Sequence, residues 1–142
     1  QKNINQDSIY ERKIESSYND TIEYLKTRFQ YHMNLYQKQI LESKVKCYLG
    51  PEGNVNHYYG CIDDVEFEKE KNSKLLQKAF AKIEYETNEC KQNCKSSFPD
   101  KEENQFQCSQ KCIEKMGNSC ENAYNGFYEK VIGQNPEYKK LK

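Results

Sequence analysis

The chain has 142 residues with 22 basic and 22 acidic side chains, so its formal net charge is zero and its pI lies near 6.9. Only 35% of residues are apolar, 31% are charged and mean hydropathy is −1.15, a composition that fits one domain with a thin core and wide solvated faces. No run approaches the roughly 18 apolar residues of a membrane span, and no block of Lys and Arg is interleaved with aromatics, which argues against a nucleic-acid partner.

Taken in chain order, residues 1–7 are polar and Ser8-x-x-Glu11 offers a capping box that opens a helix. No signal peptide or Arg-rich transit segment precedes it; the sequence opens on Gln1 without a Met, which leaves room for a removed leader. An apolar stripe then runs through Ile14, Tyr18, Ile22, Leu25, Phe29, Met33, Tyr36, Ile40 and Cys47, and predicts a first helix over about 8–48. Gly50-Pro51-Glu52-Gly53 and Gly60 mark a turn. A second helix is predicted over 61–96, starting near Gly60, with Asp63 and Asp64 at the positive end of its dipole. Its stripe is Cys61, Val65, Leu76, Ala79, Phe80, Ile83, Cys90 and Cys94, interrupted by the charged stretch 66–74. The adjacent pair Leu75 and Leu76 suits an element touched on two sides. Ser96-Ser97-Phe98-Pro99-Asp100 reads as a helix stop followed by a start. The third helix is expected to begin around Asp100, with Glu103 three residues on, and to use Cys108, Cys112, Met116, Cys120, Ala123, Phe127 and Val131. Gly117-Asn118 is a possible kink, and Gly133 and Pro136 end it.

Four cysteines carry most of the information: Cys90-x3-Cys94, thirteen residues, then Cys108-x3-Cys112. At 3.6 residues per turn, i,i+4 thiols sit one above the other on one helix face. Two such helices folded antiparallel set Cys94 against Cys108 and Cys90 against Cys112. Free thiols or a four-thiolate zinc site also satisfy this spacing, although zinc cysteines more often sit on tight knuckles than within helices. Cys47 and Cys61 repeat the thirteen-residue gap of the inner pair, and the positions of an outer pair hold Ser43 and Val65. The chain therefore reads as two successive helical hairpins, one with both rungs and one with the inner rung alone, leaving Cys120 as a free thiol. The predicted fold class is all-α: disulfide-stapled antiparallel hairpins in an elongated three-helix up-down-up bundle. It is a single domain over 1–142, with hairpin one about 8–83 and hairpin two about 61–132.

Nothing in the chain reads as an active site. His32 lies one position off the first stripe, His57 is expected in a loop beside Tyr58 and Tyr59, and neither has a nucleophile or carboxylate cluster near it in sequence. Glu66, Glu68 and Glu70 alternate with Phe67, Lys69 and Lys71, which reads as a solvated helix face. No catalytic residue, metal ligand or cofactor is expected.

The segment Cys90-Lys-Gln-Asn-Cys94 … Cys108-Ser-Gln-Lys-Cys112-Ile-Glu-Lys resembles the small Tim chaperones, twin CX3C proteins of the mitochondrial intermembrane space, over about residues 75–132. The duplicated arrangement over most of the chain resembles the mitochondrial "family with sequence similarity 136" proteins, whose four CX3C motifs lie in one chain. Ser43, Val65 and the additional Cys120 depart from that pattern. The resemblance implies import of a reduced chain, oxidation by the intermembrane-space disulfide relay, retention by folding and no enzymatic activity. It also implies that the relay recognises an aromatic or aliphatic pattern near a docking cysteine, for which Phe106 and Ile113, near Cys108 and Cys112, are the candidates.

Twelve tyrosines without a tryptophan suit polar-aromatic contact surfaces, or else a thin core widened by Tyr. Since the stripes are needed to pack the helices together, little apolar surface is expected to be spare, and the polar chain ends are expected to be held by partners. These features point to a subunit with other protein subunits as partners, and the resemblance implies its place: an accessory subunit of a larger mitochondrial inner-membrane assembly, peripheral to the membrane and exposed to the intermembrane space. The alternatives are a small Tim-like chaperone for hydrophobic precursors and a secreted helical scaffold, the latter supplied with one sequon at Asn19-Asp20-Thr21.

Overall fold

A computed structural model describes residues 9–48 and 53–141. The Ser8 capping box, most of the Gly50–Gly53 turn and the outermost chain ends lie outside the described residues. The described residues are all-α, with three long helices and one short one: α1 (Ile9–Lys46), α2 (Val55–Ser97), α3 (Glu102–Ile132) and α4 (Pro136–Lys140).

Helix α2 starts six residues before the predicted position. Asn54 supplies the reason: its side-chain oxygen accepts the Asn56 N–H at 2.9 Å, and its carbonyl accepts the Tyr58 N–H at 3.0 Å. That is an N-cap, which Asn provides well. Gly60 is consequently an exposed helical residue rather than a turn marker, His57 lies on the helix rather than in a loop, and Asp63 and Asp64 lie beyond the first turn. Helix α3 begins at Glu102, not Asp100. Asp100 instead takes φ 63° in the connecting turn, a left-handed conformation that Asp tolerates better than most residues, and Gln105 Nε2 closes the turn on the Phe98 carbonyl at 2.7 Å. The helix runs unbroken through Gly117-Asn118.

Helix α4 lies beyond the three helices that the apolar stripes predict. Pro136 ends nothing by itself; it occupies the first turn of α4, where its missing N–H costs no bond, and Asn135 caps it by accepting the Glu137 N–H at 2.9 Å.

The chain forms two compact units, each drawing on all three long helices. The first takes the residues up to Arg28 with Phe80–Asn122, and the second takes Phe29–Ala79 with the residues from Ala123 onward. In the first unit α1 and α3 run parallel, as Ser17–Gln110 (2.9 Å) and Arg28–Glu121 (2.8 Å) show, and α2 runs antiparallel to α3 through two disulfides. Leu25, Ile113, Met116 and Cys120 are its buried apolar centre. Buried Thr87 satisfies its hydroxyl by donating to the Ile83 carbonyl at 2.7 Å.

In the second unit Phe29 stacks on Tyr124 at 4.7 Å between ring centroids, and Tyr36 meets Phe127 edge-on at 5.5 Å. Tyr128 and Ile132 are fully buried there. Gln39 bridges α1 to the end of α3, donating to the Val131 carbonyl at 2.7 Å and accepting from the Asn135 amide at 3.2 Å. Tyr138 of α4 is buried and donates its hydroxyl to Glu129 at 3.2 Å. A thin core thus leans on aromatic rings, each of which buries more area than an aliphatic side chain.

The buried stripe departs from the predicted one at three places. Met33 is exposed while Leu35 beside it is buried, because a 3.6-residue period does not hold a fixed step of three or four for long. Leu75 is exposed although Leu76 is half-buried, so the pair does not mark two packed faces. Tyr128 and Ile132, next to the expected Phe127 and Val131, supply the tighter packing.

Candidate interaction surface on the disulfide-stapled hairpins

In the first unit the structure pairs Cys90 with Cys112 and Cys94 with Cys108, at Cα separations of 5.9 and 5.6 Å. Helix α2 carries one pair of half-cystines and α3 the other, each one turn apart, so the rungs stack along the hairpin. Cys94 and Cys112 are buried, whereas Cys90 and Cys108 reach partly toward the surface. The sulfurs of Cys90, Cys94 and Cys112 lie within 4.8 Å of one another. As disulfide sulfurs they are not thiolates, and zinc takes thiolates.

In the second unit Cys47 pairs with Cys61 at a Cα separation of 5.6 Å. Ser43 and Val65, the two outer-rung positions, are both half-buried. An ion pair between Lys44 and Glu66 crosses the same hairpin beside them and holds the Glu66 carboxyl below the usual carboxylate range, first through the hydrogen bond and then through charge.

Cys120 is the one cysteine of the seven outside a bridge, and it is buried. Burial pushes its thiol up from the ordinary value, which keeps it protonated and unreactive. His32 is enclosed by the rings of Phe29, Tyr128 and Tyr138 at 5.3–5.6 Å and is a packing residue, while His57 is exposed. Of the two relay-recognition candidates, Ile113 is buried and Phe106 packs on Tyr10 at 5.4 Å.

The remaining feature is a surface. Around the Cys47–Cys61 bridge, Leu41 and Val45 stand one turn apart at the end of α1, Tyr48 follows two residues past it, and all three are exposed. Val55, Tyr58 and Tyr59 are exposed on the first turns of α2. Val45 is 71% and Tyr48 69% accessible. The expectation that little apolar surface is spare does not hold at this tip. Large apolar side chains gathered on one exposed element mark an interaction site more often than scattered ones do.

The fold and this site define a class: an all-α protein of disulfide-linked helical hairpins, without a helix among the described residues long and apolar enough to cross a membrane. Beyond that class, no protein-family model, curated protein or solved structure matches the chain.

Proposed function

We propose that this protein is a non-enzymatic accessory subunit of a larger assembly at the mitochondrial inner membrane, for example a respiratory complex, on its intermembrane-space side. The observation that carries the reading is the stapled tip of hairpin one, where Leu41, Val45, Tyr48, Val55, Tyr58 and Tyr59 stand exposed on either side of a disulfide. Tyrosine and β-branched side chains held on a cross-linked hairpin lose little freedom on binding, which suits a permanent contact. A chaperone for varied apolar clients needs adaptable side chains such as methionine. The chain has two methionines, and Met116 is buried. The cysteine pattern supports the compartment: CX3C pairs closed as rungs are what the intermembrane-space relay produces in the twin CX3C proteins whose spacing this chain resembles.

Fractionation of mitochondria in mild detergent, followed by native electrophoresis, tests the reading. Co-migration with a membrane complex supports it. Recovery only as a small soluble ring carrying precursors overturns it in favour of the chaperone, and recovery from the secretory pathway with a glycan on Asn19 overturns both.

A further inference from the structure

One face of α2 within the second unit is not explained by packing. Lys71, Lys74 and Lys78 follow one another at i, i+3, i+7, and all three are exposed. Phe67, 70% accessible, and Leu75, 46% accessible, share their face. The spacing continues in sequence through Lys82 and Tyr85, both exposed. At about 1.5 Å per residue, residues 67–78 make a strip of roughly 17 Å. Only one of the three lysines, Lys74, makes an ion pair within the described residues, a 3.4 Å contact to Glu70 in which both side chains are mostly exposed and whose worth is small. In a chain with zero formal net charge, residues 67–78 carry four lysines against Glu68 and Glu70, a local excess of two positive charges with apolar side chains set among them.

We propose that this face of α2 lies on the surface of an anionic lipid bilayer, with the lysine ammonium groups at the headgroup phosphates and Phe67 and Leu75 entering the interface. Charge complementarity selects an anionic surface. The exposed Phe and Leu select lipid over a purely electrostatic partner, because apolar side chains gain from an interface with an acyl region while lysine stems extend to the headgroups. A second copy of the chain does not fit, since bringing the same lysine strip against itself opposes like charges. The inference concerns direct lipid contact and stands apart from which assembly the protein joins.

Vesicle flotation of the full oxidised chain tests it. The expected result is binding to phosphatidylcholine vesicles that contain phosphatidylglycerol and none to phosphatidylcholine alone, with binding lost as salt is raised. Lys71→Gln with Lys78→Gln should weaken partitioning roughly thirty-fold, and Phe67→Ser should weaken it further without shifting the melting temperature, since each side chain is exposed. Equal binding to both vesicle types, no binding, or affinity indifferent to these changes overturns the proposal. Capture by polyglutamate without vesicle binding overturns it in favour of an acidic protein partner.

Discussion

Cys94 and Cys112 belong to different disulfides, yet their sulfurs lie 3.6 Å apart. The two rungs of the α2–α3 hairpin are therefore neighbours, and either one already holds the chain ends that the other joins. The bridges close sequence separations of 14 and 22 residues, for which the loop-entropy model gives about 3 kcal/mol each when acting alone. Once one is formed, the second closes little new loop. Replacing Cys94 and Cys108 together by Ala should therefore cost within about 1 kcal/mol of replacing Cys90 and Cys112 together. Denaturant unfolding under non-reducing conditions checks this, and a result in which one double variant unfolds while the other is unaffected contradicts it.

Gly117 sits where α3 meets α1: a Cβ there would lie 3.2 Å from the Thr21 methyl, and Thr21 is tethered by its hydroxyl to the Ser17 carbonyl at 2.9 Å. Gly126 has nothing within 4 Å of such a Cβ. Gly126→Ala should stabilise by about 0.5–1 kcal/mol through helix propensity alone. Gly117→Val should destabilise by about 1–3 kcal/mol through overpacking. Thermal melts of the two variants against the parent decide the matter, and equal shifts of the same sign would remove the close approach of α1 and α3 from the account.

Tyr36 buries its hydroxyl without a hydrogen-bond partner among the described residues, while its ring packs on Phe127. A buried polar group left unpaired costs about 1–3 kcal/mol. Tyr36→Phe keeps the ring and removes the cost, so it should raise stability by about 1 kcal/mol. A loss of stability in denaturant titration would show that the hydroxyl is satisfied in solution.

Alkali should unfold the second unit through Tyr128. Burial, then Tyr124 and Tyr36, push its phenol from 10.0 up to about 12. The folded state thus favours the neutral phenol. Its contribution is complete below pH 10, the unfolded value, and is lost as pH rises through the window from 10 to about 12. Following tyrosinate absorbance together with circular dichroism should show the last phenol ionising with loss of helix. Ionisation of every tyrosine near pH 10 in a folded chain would contradict it.

The hairpins were legible in the sequence because cysteine spacing and helix period say the same thing at Cys90, Cys94, Cys108 and Cys112. Helix ends were less so. Asn54 and Asn135 cap α2 and α4, but in sequence the neighbouring glycines and prolines serve equally well as punctuation. Pro136 in particular serves equally as the end of one helix and the first turn of the next, and only the cap at Asn135 separates the two readings. The exposed tip was illegible for a different reason. A stripe assigns apolar residues to a buried face by period, and Val45, Tyr48 and Val55 fall off the stripe, where period says nothing about what covers them.

The central claim is that this tip is seated on other subunits, and site-specific photo-cross-linking tests it most directly. A benzophenone side chain introduced at Val45 or Tyr59 in the living cell should yield one or two discrete adducts with fixed partner proteins, while the same group at exposed Lys95 in the first unit yields none. Adducts spread over many newly imported precursors, or no adduct at either tip position, would contradict a permanently docked accessory subunit.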